Sequence, residues 1–343
     1  MSLIIACFTL VGAYFRDSTC AEETFGYINP GQKPLQIVVL TFHRDVSLQR
    51  LLRALAATNY SSHRVDLRIN IDGMATDMSE QSKKDHARVK SVSNSFKWQH
   101  GDKKVHERQT NIGLAESWFR ATDAKDYTYT AIFEDDLEVN VDFFDFLLAV
   151  DHMGVLQGSH TTALCLHPGN WEVPVARTCP PQYSNLFYES PEPCNWGPIW
   201  KTGEWFQYLD FVRSLQQAKE RPFVPEKISY NYNAYLTKDL DVQSPWLWRY
   251  NWENSKRQIR YSTVPCSKRR KSNASPQEHI YMAINHKEAG AHFKGKQNLD
   301  NDPSLLLPGI KDLSSKLTNP CVQLRPEPFL GYKSYDKSLL RPP

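Results

Sequence analysis

Three short strand-like runs constrain this chain more than any other feature. Leu35-Gln-Ile-Val-Val-Leu-Thr41 is apolar on both alternating faces, which suits a strand buried between two layers of helices. Val65–Ile71, apolar at every other position, is a second strand that ends at Asp72-Gly73, and residues 128–133 form a third. Helical patterns alternate with them. Asp45–Thr58 places Leu48, Leu51, Leu52 and Leu55 on one face, with Asp45 or Ser47 as N-cap. Ser79–Asn94 is a polar helical stretch, Val105–Arg108 a short strand, and Asn111-Ile-Gly-Leu opens a helix running to about Thr122. Val141–Val150 continues as a helix after the third run. This β-α-β-α-β order predicts an α/β fold, a doubly wound, Rossmann-like open and mostly parallel sheet flanked by helices.

The second half has a different texture. Thr161–Leu166 reads as a further strand and Glu204–Ala218 as a helix. Residues 168–200 are rich in Pro, Trp and Tyr and suggest an ordered loop over a site. Aromatic residues crowd 228–262 (Tyr230, Tyr232, Tyr235, Trp246, Trp248, Tyr250, Trp252), a composition that serves either sugar stacking or core packing. The expected organisation is a leader over 1–16, a stem over 17–34, a domain whose two halves run over 35–150 and 151–307, and an irregular wrap over 308–343.

Met1–Phe15 is apolar and uncharged, which marks a signal peptide or a short signal anchor and so a secretory-pathway protein with membrane anchoring as one option. The sequons Asn59-Tyr60-Ser61 and Asn273-Ala274-Ser275 agree with that route. Outside the leader stand Cys20, Cys165, Cys179, Cys194, Cys266 and Cys321, an even number that permits disulfides, with Cys179–Cys194 the favoured pair. The net charge of +3 argues against nucleic acid as a partner. The local run Ser267-Lys-Arg-Arg-Lys271 is a solvated loop or an anion-binding one.

The third strand stops at consecutive acids, Glu134, Asp135 and Asp136. Adjacent carboxylates repel unless a divalent cation, hydrogen-bond donors or open solvent offsets the charge. Thr41-Phe42-His43-Arg44, Asp72 and Asn111-Ile112-Gly113-Leu114 fall at neighbouring strand and helix ends, where open α/β sheets bind ligands. Neither GxGxxG nor GxxxxGK[ST] is present, so a metal-bridged diphosphate is the reading that remains.

The block Glu134-Asp-Asp-Leu-Glu-Val-Asn-Val-Asp-Phe-Phe144 closely resembles the acidic motif of Golgi N-acetylglucosaminyltransferase I and its protein O-mannose relatives. The resemblance is collinear from about Ile37 to Phe146 and patchy between Cys194 and Lys296. It implies a GT-A glycosyltransferase of the Golgi or ER lumen. Such an enzyme uses Mn²⁺ and UDP-GlcNAc, inverts the anomeric carbon and acts on a glycan or glycoprotein acceptor. On that resemblance Asp136 is the metal ligand, and Glu134 and Asp135 contact the donor sugar and ribose. Asp72 reads the uracil, Arg44 holds the nucleotide, Asn111 stands where the family has a histidine near the donor, and Trp196-Gly197 lies in the loop beside the donor sugar. The family's catalytic base lies in a Trp-Asp-Asp-Trp segment. Here the counterpart is Ser244-Pro-Trp-Leu-Trp-Arg-Tyr-Asn-Trp-Glu253, so Glu253 takes the role when Trp252 sets the register, with Asp241 next. A late histidine completes the metal site in some GT-A enzymes, whereas in the pattern of this family water does so, which leaves His279, beside Glu278 and His286, as a secondary candidate. That departure leaves open a transferase using UDP-Gal or UDP-Glc, and a non-catalytic sugar-nucleotide or glycan-binding relative.

Overall fold

The computed structural model describes residues 32–167, 187–190, 193–220, 243–261, 283–285 and 325–326. Along the chain these form β1 (Lys33–Thr41), α1 (Asp45–Ala57), β2 (Val65–Ile71), α2 (Glu80–Ser95), β3 (Lys103–Glu107), α3 (Gly113–Phe119), β4 (Tyr127–Glu134), β5 (Leu137–Val139) and α4 (Phe143–His152). Then follow β6 (Thr161–Cys165), β7 (Phe187–Ser190), β8 (Pro198–Lys201), α5 (Thr202–Gln217), α6 (Ser244–Glu253), β9 (Arg257–Tyr261), β10 (Ala283–Asn285) and β11 (Arg325–Pro326).

Among the described residues one nine-stranded sheet runs in the order β11-β7-β9-β6-β8-β4-β1-β2-β3. β4, β1, β2 and β3 are mutually parallel, the arrangement that helical crossovers produce. β8 is antiparallel to both β4 and β6, so β6 points the same way as β4, and β9 is parallel to β6. β5 leaves the sheet just after the acids and pairs with β10 in a separate ribbon. The expected α/β, mostly parallel sheet flanked by helices is therefore the architecture observed.

β1 shows why its sequence is apolar without interruption. Leu35, Ile37 and Val39 face a core with Leu48, Leu51, Leu52 and Leu55 of α1 and Phe143, Phe144 and Phe146 of α4. Val38 and Leu40 face a second core with Trp118, Trp200, Trp205, Tyr208 and Tyr250. Each such fully buried apolar side chain contributes about 1.5–3 kcal/mol from removal of its surface from water. The second core is aromatic, with Trp200 stacked on Tyr208 at 5.7 Å. Tyr250 belongs to this core and Trp248 is likewise buried, so that part of the 228–262 aromatic stretch packs rather than faces a ligand. Tyr230, Tyr232 and Tyr235 lie outside the described residues.

Two local expectations change. Asp45 is the first residue inside α1 rather than its cap; Arg44 takes the cap position without a side-chain bond to the helix. Asp45 is still well placed, because the helix N-terminus favours negative charge. Ser79 does cap α2, its hydroxyl accepting from Ser82 N at 3.1 Å. The disulfide is Cys165–Cys194, with Cα atoms 5.8 Å apart, and not Cys179–Cys194. Cys165 ends β6 and Cys194 precedes β8, and the antiparallel pairing of those strands brings the two together. Cys179 lies outside the described residues. Among the described residues no helix is long and apolar enough to cross a membrane.

Candidate active site at the strand ends

The C-terminal ends of β1, β2 and β4 meet at one edge of the sheet, and the loops that leave them are stitched together. Asp72 N donates to Thr41 O at 3.0 Å, and Asp135 N donates to Leu40 O at 3.0 Å. The four features predicted to share a crevice (41–44, Asp72, 111–114 and 134–136) are therefore neighbours.

The acids divide by orientation. Asp135 is wholly buried. Its Oδ2 accepts from the Thr41 hydroxyl at 2.6 Å, and its Oδ1 lies 2.7 Å from the Arg44 guanidinium. Asp135 thus points inward and anchors Arg44. Burial pushes its carboxyl up to about 6, against the opposing pull of Arg44 and the Thr41 hydrogen bond. Glu134 accepts from Trp118 Nε1 at 3.0 Å. Burial first, and the charge of Asp136 second, push Glu134 up to about 7. Neither Trp118 nor Thr41 had a role assigned from sequence. Thr41 was visible as the polar end of β1, whereas an indole sixteen positions before the acid motif carries no local signal.

Asp136 is different. Arg44 Nη1 donates to its Oδ2 at 2.7 Å, while its Oδ1 is buried and has no hydrogen-bond partner. Three carboxylates here face one guanidinium, and the three together hold the Arg44 charge on despite its desolvation. A hard carboxylate oxygen without a donor, in a cluster with surplus negative charge, fits a divalent cation such as Mn²⁺. Among the described residues no group of three or more His, Cys, Asp or Glu forms a metal cage. A cation here would take Asp136 from the protein and need further oxygens from its ligand. His279, Glu278 and His286 lie outside the described residues.

Asp72 is committed to the fold. Its carboxylate accepts from Gly73 N at 2.8 Å, Ile112 N and Gly113 N at 3.1 Å, and the Asn111 amide at 3.1 Å. Asn111 also donates to Gly73 O at 3.0 Å. Asp72 and Asn111 are thus brought together, as the floor of the crevice. Gly73 is required there, since a Cβ would sit 2.2 Å from Thr110 C. Asp72→Ala is expected to cost about 2–3 kcal/mol of stability through the donors it strands. Urea unfolding checks this, and a cost below about 1 kcal/mol would show that the loop closes without it.

Trp196 and Gly197 stand at the same edge, because β8 begins where β4 ends. Gly197 adopts φ 80°, a left-handed conformation that favours glycine. Trp196 packs edge-on against His167 at 4.7 Å. Asn195 beside it accepts from the Gln243 amide and donates to Ser244 Oγ, both at 2.7 Å, which ties the loop to the start of α6.

Glu253 is not part of this site. It ends α6, roughly 15 Å along the axis from Ser244 at 1.5 Å per residue. From there the chain enters β9, with Arg257 N donating to His160 O at 2.7 Å beside the start of β6. The starts of β4, β6 and β9 share the edge opposite the acids. Glu253 is also paired with the buried Arg249 at 2.8 Å. The tryptophan register that nominated it reflects helix packing. Glu253→Gln is accordingly expected to leave donor affinity and kcat within about twofold; a loss of turnover with donor binding intact would return it to the reaction. Asp241 lies outside the described residues.

Fold and site together define an α/β protein with an acid-tipped crevice at the strand ends. No family model and no curated protein matches the sequence. Among solved structures, the chain is similar to Staphylococcus aureus TarS at 16% identity and TM-score 0.31, covering 51% of this chain and 29% of that one. A shorter S. aureus TarS chain in complex with UDP-GlcNAc is 14% identical at TM-score 0.33, covering 71% and 63%. The mannosyltransferase PcManGT from Pyrobaculum calidifontis, in complex with GDP-Man and Mn²⁺, is 13% identical at TM-score 0.38, covering 78% and 67%. This chain spans less than two thirds of the TarS chains it matches. These are distant overlaps and carry no functional argument.

Proposed function

We propose that this protein is a divalent-cation-dependent GT-A glycosyltransferase that moves a sugar, most simply GlcNAc, from a UDP donor to a glycan or glycoprotein hydroxyl with inversion. The observation that carries the reading is Asp136: a carboxylate at a strand end with one buried, unpartnered oxygen, inside a block that resembles the acidic motif of the N-acetylglucosaminyltransferase I family. When bound, the cation supplies positive charge against the leaving diphosphate. Asp136 would hold it. Arg44, already poised against Asp135 and Asp136, provides a second positive charge near the phosphates. Glu134, held by Trp118, faces the donor sugar, and the Asp72–Asn111 floor shapes the nucleotide end.

The acceptor hydroxyl attacks the anomeric carbon, the bond to the β-phosphate oxygen breaks, and UDP leaves as the hydroxyl proton passes to a base. Of the two acids named from sequence, Asp241, outside the described residues, keeps that role in this proposal, because Glu253 is paired with Arg249. Residues 35–150 would bind the nucleotide sugar and 151–307 frame the acceptor beside Trp196. The Cys165–Cys194 disulfide supports a lumenal compartment of the secretory pathway, where such bonds persist.

The test is binding and hydrolysis of UDP-GlcNAc, UDP-Gal and UDP-Glc with and without Mn²⁺. Slow metal-dependent UDP release from one donor is expected and would name the sugar. Metal-dependent UDP binding with no turnover, even over an acceptor panel, would make the protein a sugar-nucleotide-binding relative.

A further inference from the structure

The edge of the sheet farthest from the acids carries its own construction. α1 starts at the reacting edge and ends at the opposite one, where residues 58–64 turn into β2. Within this turn the middle residue of the Asn59-Tyr60-Ser61 sequon points inward. Tyr60 is buried, donates its hydroxyl to Leu55 O at 2.9 Å and packs edge-on between Trp98 and Phe144. Ser61 and Ser62 then take left-handed conformations, φ 48° and 65°, which reverse the chain. Asn59 is thereby turned out into solvent.

Its amide is used on one side only. Oδ1 accepts from Ser61 N at 2.9 Å, and no hydrogen bond of Nδ2 is found among the described residues. A glycosyl group on Nδ2 keeps the carbonyl, so that turn-forming bond survives. An open groove of about 560 Å³, bordered by Asn59, His63, Arg64, Gln99 and His100, leaves room for the first sugar. The seven residues of β2 separate this turn from the acid edge by roughly 20 Å at about 3.3 Å per residue, so a glycan here stays clear of donor and acceptor.

We infer that Asn59 is an N-glycosylation site, a reading that rests on the lumenal placement proposed above. In the step, Nδ2 attacks the anomeric carbon of a lipid-diphosphate-linked oligosaccharide. The C–N bond forms, the bond to the phosphate oxygen breaks, the lipid diphosphate leaves with the electron pair, and the amide gives one proton to a base of the transferring enzyme. Modification during synthesis yields a side chain that the finished fold accepts without rearrangement.

The full chain, with its own N-terminus, is expressed in cultured animal cells. It is then treated with peptide N-glycosidase in oxygen-18 water, and the Asn59 and Asn273 peptides are read separately by mass spectrometry. Labelled aspartate at position 59 is expected. Asn59→Gln and Ser61→Ala should each remove that one glycan while UDP affinity stays within twofold. An unmodified Asn59 in protein that carries the Cys165–Cys194 disulfide overturns this site and leaves the lumenal reading standing. Unmodified protein with both cysteines reduced overturns the site and the lumenal reading together.

Discussion

Asp136→Ala is expected to abolish Mn²⁺-dependent binding of UDP and UDP-sugars, with at least a hundredfold loss of affinity, about 2.7 kcal/mol. The variant removes a buried carboxylate oxygen of the crevice, Asp136 Oδ1, that has no hydrogen-bond donor among the described residues. The remaining acids cannot replace it. Asp135 is turned into the protein toward Thr41 and Arg44, and one oxygen of Glu134 is held by the Trp118 indole. The fold should not suffer: the substitution relieves repulsion among three adjacent acids, and Arg44 keeps Asp135 as its partner. Titration calorimetry with UDP, with and without Mn²⁺, beside a thermal melt of each protein, separates loss of the ligand from loss of structure. Unchanged metal-dependent affinity in a folded variant would remove Asp136 from the metal.

Removing the disulfide with the double substitution Cys165→Ala/Cys194→Ala should lower stability by about 3–4 kcal/mol on the loop-closure estimate for 29 residues. Both sulfurs are buried against the Trp196 segment, and the bond is what holds that segment to the end of β6. Beyond the global cost, the Trp196-Gly197 turn should loosen, so donor KM should rise more than the melting temperature alone predicts. Urea unfolding of the wild type with and without reductant, compared with the double variant, reads the first effect. Reduced wild type should match the variant. A difference below about 1 kcal/mol would mean that β6–β8 pairing alone carries the loop.

Much of the fold was legible in local pattern. The run from Leu35 to Thr41 reads as a two-faced strand because its two faces meet different cores, and the Leu48-Leu51-Leu52-Leu55 stripe reads as a helix because it lies on one of them. The crevice was legible for the same reason. Strand ends carry abrupt changes from apolar to polar sequence, and parallel strands put successive ends on one edge. Thus the strand order alone brings Arg44, Asp72, Asn111 and Glu134–Asp136 to one edge.

What local pattern cannot encode is which way a side chain turns at a strand end and which edge a distant helix end reaches. Asp135 and Asp136 are adjacent, similar acids, yet one is anchored inside and the other keeps an oxygen without a donor. Their difference comes from Thr41 and Arg44, more than ninety positions earlier. Asp72, read as a ligand contact, is occupied by the 111–113 backbone, whose approach depends on the packing of α3. Glu253 sits in a tryptophan-rich stretch that matched a catalytic segment, and strand direction alone sends it to the wrong edge. Cys194 finds Cys165 because β6 and β8 are antiparallel neighbours. Helix and strand follow from residue periodicity over a few turns, whereas sidedness and partnership follow from non-local strand pairing, whose energy is spread over contacts that no short window of sequence contains.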